Sequence, residues 1–286
     1  MKTLLALVAV LAAGAAATAA AAGGGGPSPG ALVGWDGVRA PGGAVRYVAL
    51  PAGDWTNVVA VRVRDGRVIR WTSIRGLFGV PAVAFDGTAD GLSADRKTLV
   101  LTSLNQRFTG PTTFLTLRAS RLDHRRAIVL PGVWSFDAVS PDGATIYAIQ
   151  YLKVAGELSG EYRVRAIDVA TGLPRPGAIV DRREPSERMN GAPIARSWNL
   201  ARSWAYTLYS RPAGTAFIHA LDTRRGEAVC IDLPWEDVQG AIWGTRIAVS
   251  RDGSTLTLRQ RGVGTLATVD LRSREVRALR RPVAPA

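Results

Sequence analysis

Apolar residues in this chain come in short runs that alternate with polar ones and stop at turn-forming residues. Thr145 to Tyr151 and Val45 to Leu50 are two such runs; Trp204 to Tyr209, Leu99 to Leu101 and Leu256 to Leu258 are others. Alternation over about 5–7 residues is the pattern of a half-buried strand, and no convincing amphipathic helix interrupts it. The segments ahead of the runs repeat. Ser140, Pro141, Asp142, Gly143 precede the first; Ser250, Arg251, Asp252, Gly253 precede Leu256; Ser93, Ala94, Asp95, Arg96, without the glycine, precede Leu99. Trp35, Asp36, Gly37 form a weaker copy, and Arg202, Ser203 a decayed one before Trp204. Asp-Gly between apolar runs predicts a hairpin, because its tight turn needs positive φ.

A second landmark follows each turn. Ile167, Asp168, Val169, Ala170, Thr171, Gly172 matches Leu221 to Gly226 and, with the glycine lost, Val269 to Ser273. Strands resume at Ala178, Ala228 and Val276. The aspartate turns recur about every 54 residues, room for four short strands, which is the blade of an all-β propeller. The expected architecture is five four-stranded blades, with six as the alternative. The first blade uses Val45 to Leu50, Asn57 to Arg64 and Arg67 to Ile74, with Ala31 to Gly34 as its inner strand. The others run over about Val80 to Pro131, Val133 to Pro185, Pro193 to Trp235 and Ala241 to Arg281. One blade cannot cover both its faces, so the blades must stack in a ring, with Val45 to Leu50 and Val276 to Leu279 in neighbouring blades.

Ser-Pro-Asp-Gly before an apolar strand, then Asp-x-x-Thr-Gly after the next, resembles the secreted bacterial β-propellers of the TolB, YVTN and WD-repeat-like type over roughly residues 35 to 280. The resemblance implies the fold. On function it implies a range, from binding scaffolds and envelope-complex subunits to lactonases.

The N-terminus changes the picture of compartment. Met1 and Lys2, the apolar Leu4 to Ala13 and the small-residue run Ala15 to Ala22 follow the order of a secretory signal, with cleavage expected after Ala22. An uncleaved anchor over Leu4 to Ala22 is the alternative. Residues 23–34 read as a flexible leader, 35–281 as a single propeller and 282–286 as a tail. The net charge is +13, and almost all the basic residues are arginines scattered along the chain. Scattered arginine does not match the clustered charge of a nucleic-acid surface, so nucleic acid is not an expected partner. Membrane contact is expected to be peripheral at most. An anionic cell-envelope polymer fits better. One cysteine, Cys230, excludes an internal disulfide, and with only His124 and His219 as histidines neither a metal site nor a cofactor is expected.

Two sets of residues carry candidate chemistry. Counting three back from Ser93, Ser140, Ala201 and Ser250 gives Asp90, Asp137, Trp198 and Ile247 on the inner strands. Asp90 and Asp137 then project from adjacent blades, as the acidic pair of a glycosidase does when its carboxyls stand about 5–9.5 Å apart. Alternatively they pair with arginine, Asp137 with Arg196 or Arg246. Trp134, Trp198 and Trp243 fall near the inner strands and would stack a sugar ring or peptide if gathered at one mouth; otherwise they fill space between blades. No Gly-x-Ser-x-Gly elbow or paired nucleophile and base accompanies them. The function expected is a non-catalytic extracytoplasmic scaffold that binds a protein, an envelope polymer or a carbohydrate. The alternative is a carbohydrate-active or lactone hydrolase using Asp90 and Asp137.

Overall fold

The computed structural model describes residues 33–104, 110–154, 157–186 and 189–284. The expected signal and leader, apart from Val33 and Gly34, lie outside these residues. The described residues contain five four-stranded antiparallel sheets and no helix. Blade 1 comprises β1 (Val38–Arg39), β2 (Val45–Ala52), β3 (Trp55–Arg62) and β4 (Val68–Arg75). Blade 2 holds β5 (Phe78–Gly79), β6 (Thr98–Ser103), β7 (Thr112–Arg118) and β8 (Asp123–Leu130). Blade 3 holds β9 (Trp134–Val139), β10 (Thr145–Val154), β11 (Glu157–Asp168) and β12 (Met189–Asn190). Blade 4 holds β13 (Ala192–Trp198), β14 (Trp204–Ser210), β15 (Ala216–Asp222) and β16 (Glu227–Asp232). Blade 5 holds β17 (Thr245–Val249), β18 (Thr255–Gln260), β19 (Gly264–Asp270) and β20 (Val276–Ala278). In each blade the strands pair in sequence order, so every blade is built from one continuous stretch of chain.

The recurring turns explain why the blades form where they do. In blade 3 the Ser140 hydroxyl donates to Asp142 Oδ1 at 2.5 Å and accepts from the Thr145 N–H at 2.9 Å, while Asp142 Oδ1 also accepts from the Ala144 N–H. Ser93 with Asp95 and Ser250 with Asp252 repeat these bonds. Gly143 and Gly253 supply the positive φ; in blade 2, Arg96 takes it instead at 61°. Asp168, Asp222 and Asp270 cap the second kind of turn by accepting backbone N–H groups two to three residues on.

Apolar side chains fill the seams between blades. One cluster joins blades 1 and 2, a second blades 2 and 3, a third blades 3 and 4, and a fourth blades 4 and 5. Five blades thus share four seams. Among the described residues, no apolar cluster, hydrogen bond, ion pair or ring contact joins blade 1 to blade 5. The inner strand of blade 1 is not Ala31 to Gly34 but Val38–Arg39; Val33 bridges to Pro81 and the Gly34 N–H donates to Val80 O.

Candidate functional site

The inner strand of blade 2 is split. After Gly79 the chain leaves β6, turns back through a hairpin in which Ala82 bridges to Ala89, and rejoins β6 where the Val100 N–H donates to Gly91 O. The hairpin tip reaches past blade 3. The Phe85 N–H donates to Pro193 O and the Asp86 N–H to Ile194 O, both on blade 4. Asp86 also pairs with Arg246 of blade 5 at 2.9 Å, and the Phe85 ring lies 5.1 Å from that of Trp243. A hairpin joining the inner strands of blades 2, 4 and 5 has to cross the central axis, so the channel is spanned by this chain's own backbone.

One candidate carboxylate, Asp90, lies on the returning arm of this hairpin, its N–H donating to Pro81 O; the other, Asp137, lies on β9. Asp90 and Asp137 are buried, at 0% and 1% exposure. Asp137, on β9, receives Arg196 of β13 twice, at its side chain and at its backbone carbonyl, while Arg196 Nε donates to Thr207 Oγ1 at 2.8 Å. Asp90 receives Arg202 Nη2 at 2.5 Å. Both guanidinium groups flank Trp198, with Arg202 at 4.5 Å and Arg196 at 5.8 Å from its ring centre. Burial pushes the Asp90 carboxyl above its ordinary range; Arg202, Arg196 and the Gly91 N–H oppose that rise, and Asp137 adds to it. Two carboxylates thus face two guanidiniums, and the charges in this buried cluster cancel.

Arg196, already weighed as a partner for Asp137, also occupies the repeat position that the sequence alignment had given to Trp198, a misalignment that the structure corrects. In blade 4 the turn-forming Ser is replaced by Asn199, whose Oδ1 accepts from the N–H groups of Ser203 and Trp204, and Arg202 takes the positive φ at 51°. Asn199, not Ala201, is equivalent to Ser140. The residue three earlier is therefore Arg196, not Trp198, so blade 4 contributes the cation at the position where blades 2 and 3 contribute aspartate. An Asx-turn reading of Asn199 is the sequence signal for it.

The three tryptophans occupy different places. Trp134 fills the seam between blades 2 and 3 at 2% exposure, its indole N–H bonded to Pro131 O at 2.9 Å. Trp198 belongs to the ion-pair cluster, and Trp243, beside Phe85, is partly exposed. His219 and Cys230 are buried in the seam of blades 3 and 4, while His124 is exposed on β8. Among the described residues no group of His, Cys, Asp and Glu could hold a metal ion.

Two features of the surface had no place in the sequence reading. A cavity of about 420 Å³ opens at the seam of blades 4 and 5, where Trp204 stacks on Tyr206 beneath Arg272 and Arg274. The outward face of blade 1 carries Leu50, Trp55, Val68 and Trp71, each about half exposed or more. Cross-strand register places Val48, Val59 and Trp71 in one row of that face and Ala52, Trp55 and Arg75 in another.

Together, the blades define a β-propeller. No family model matches the chain, and no curated protein does. Among solved structures it is similar to prolyl oligopeptidase B from Galerina marginata, at TM-score 0.52 and 16% identity over 84% of this chain and 32% of that one. Hydrazine synthase from Kuenenia stuttgartiensis aligns at TM-score 0.45 and 17% identity over 84% and 77% of the two chains. TolB from Acinetobacter baumannii aligns at 0.44 and 16% over 83% and 52%. The chain spans about half the length of that TolB and about a third of the peptidase. At these identities the likeness is one of fold, that of a β-propeller.

Proposed function

We propose that this protein is a non-catalytic extracytoplasmic propeller that acts as an interaction scaffold for a protein or a cell-envelope polymer. The observation that carries the reading is the outward face of blade 1. Leu50, Trp55, Val68 and Trp71 lie exposed on one continuous sheet, and contiguous apolar surface of that kind marks an interaction site. The order of charged start, apolar core and small-residue exit at the N-terminus supports export. The hydrolase alternative needs Asp90 and Asp137 free at an open mouth, whereas each is buried against an arginine.

The test is fractionation of cells exporting the wild-type protein and the Leu50→Asp/Trp71→Ser variant. The wild type should be retained with the envelope and begin at Gly23 by mass spectrometry, while the folded variant shifts to the soluble fraction. An unchanged distribution would refute the scaffold reading. So would glycoside or lactone hydrolysis by the wild type that a folded Asp137→Asn variant lacks.

A further inference from the structure

The repeat is broken from both sides of one seam. Blades 2, 3 and 5 open their second strand with Thr98, Thr145 and Thr255, whereas blade 4 opens it with Trp204. The turn between β19 and β20 carries Arg274 at a φ of 67°, where the sister turns carry Gly172 at 76° and Gly226 at 69°. The three positions are equivalent, because each N–H donates to the carbonyl of the aspartate four residues earlier. The seam of blades 3 and 4 shows the filled arrangement. There the Tyr147 hydroxyl donates to Thr223 O at 2.9 Å, and a methyl on Gly226 would lie 3.5 Å from the Tyr147 ring. At the seam of blades 4 and 5, Tyr206 stands where Tyr147 does and Leu271 where Thr223 does. The Tyr206 hydroxyl makes no hydrogen bond among the described residues, and the cavity of about 420 Å³ lies between these two residues and Arg274.

We propose that this cavity binds a small aromatic carboxylate, its ring against Trp204 and Tyr206 and its carboxylate on Arg272 and Arg274. Trp204 and Tyr206 stack at 6.1 Å between centres and 15° between planes, and among the described residues no guanidinium lies over either ring. They offer a third ring an aromatic wall, which Val229 and Ile231 extend with aliphatic surface. The available charge is positive. Arg272 and Arg274 make no ion pair among the described residues, and a guanidinium takes a carboxylate by two parallel hydrogen bonds. The carboxylate on the cavity wall, Asp252, is already engaged by the Ser250 hydroxyl and by the N–H and hydroxyl of Ser254. Asp270 and Glu275 line a separate depression on the face of blade 5 turned away from blade 4. A sugar is a poorer match, since each of its hydroxyls would need a partner. The Asn199 amide has none to give, being bonded on both sides within its own turn. Tyr206 remains a neutral donor, because burial lifts its hydroxyl to about 12.

The experiment is calorimetric titration of the full chain with naphthoate, naphthamide and glucuronate. Naphthoate should bind at least about tenfold more tightly than either of the others. Two variants return the site to the residues of its sister blades, which those folds already accept. Arg272→Gln/Arg274→Gly should erase the advantage of naphthoate over naphthamide, and Trp204→Thr should weaken both, with circular dichroism reporting the fold of each. No binding of naphthoate, equal binding of naphthoate and naphthamide, or an advantage that survives loss of both arginines overturns the proposal. Glucuronate binding as tightly as naphthoate gives the cavity to an acidic sugar and overturns it too. Envelope retention through Leu50 and Trp71 is read on a different blade, so the scaffold stands or falls separately from this site.

Discussion

Asp137→Asn should destabilise this propeller more than an ordinary core substitution does. The carboxylate is 1% exposed and faces a guanidinium whose side chain is also 1% exposed, so neither charge has water to fall back on. The replacement amide leaves Arg196 buried with a net charge. The other carboxylate near the cluster, Asp90, is already engaged by Arg202. Removing one partner of such a pair costs about 3–5 kcal/mol, mostly as the penalty of the stranded charge. Total stability of a domain is about 5–15 kcal/mol, so the loss is a large fraction of it. At about 2–4 °C per kcal/mol for a chain of this size, the midpoint should drop by roughly 6–20 °C. Denaturant melts of wild type, Asp137→Asn, Arg196→Met and the double variant Asp137→Leu/Arg196→Met separate this from simple loss of contacts. The double variant removes both charges and should be more stable than either single one, giving a favourable coupling of at least about 2 kcal/mol. Asp137→Asn within about 0.5 kcal/mol of wild type, or strict additivity in the double variant, would refute the reasoning.

Three further outcomes are expected. Arg202→Gln takes away the group that holds Asp90 down, leaving burial to raise its carboxyl further; a carboxyl raised in the native state stabilises below its unfolded pKa of about 3.9 and loses that contribution as pH rises through the native value, so melts should show a larger deficit at pH 8 than at pH 4, and a flat deficit contradicts this. Asp181 behaves in the opposite sense: burial alone would raise it, but hydrogen bonds from Arg183 and from the Cys230 N–H bring it down to about 2, so Asp181→Asn should cost about 1–2 kcal/mol at pH 7, after allowance for the exposure of Arg183, and almost nothing at pH 2. Gly143→Ala and Gly253→Ala alter the same turn at φ of 72° and 74°, yet a methyl at 143 would lie 2.6 Å from Thr98 Cβ while one at 253 meets nothing within 4 Å; chemical melts should show Gly143→Ala as the worse by at least about 1 kcal/mol, and equal losses would mean the backbone conformation alone sets the cost.

The blades were legible in the sequence because their signals are local. Ser140, Asp142 and Gly143 make their bonds within one turn, so the same residues at 93 and 250 announce the same geometry. Where a different residue makes the equivalent bonds the reading slipped: Asn199 moved the register of β13 by two positions and aligned Trp198 with Asp137, although Arg196 had been named as a partner for that aspartate. The hairpin around Phe85 was illegible for another reason. Its tip binds residues more than a hundred positions away in the chain, and nothing near Phe85 or Asp86 points to Pro193 or Arg246. The bare face of blade 1 was hidden by its own regularity. Along β2, Val48 and Leu50 alternate with the buried Tyr47 and Ala49 as they would on a covered strand, and alternation reports the face of a side chain without saying what lies opposite it.

Building each blade from consecutive strands also governs how the chain acquires its fold. A ring stitched by its two ends cannot complete its last blade until both ends exist. Here each sheet can form as soon as its own residues are available, and its first long-range partner is the sheet made just before it. Folding can therefore proceed vectorially, blade by blade along the chain, without waiting for the later blades. The same linear order sets a gradient of resistance in the finished molecule. Blade 1 is held by one seam and blade 3 by two, so amide protection should be lowest in β2 to β4 and highest in β9 and β10, with blade 1 opening as a unit before the rest.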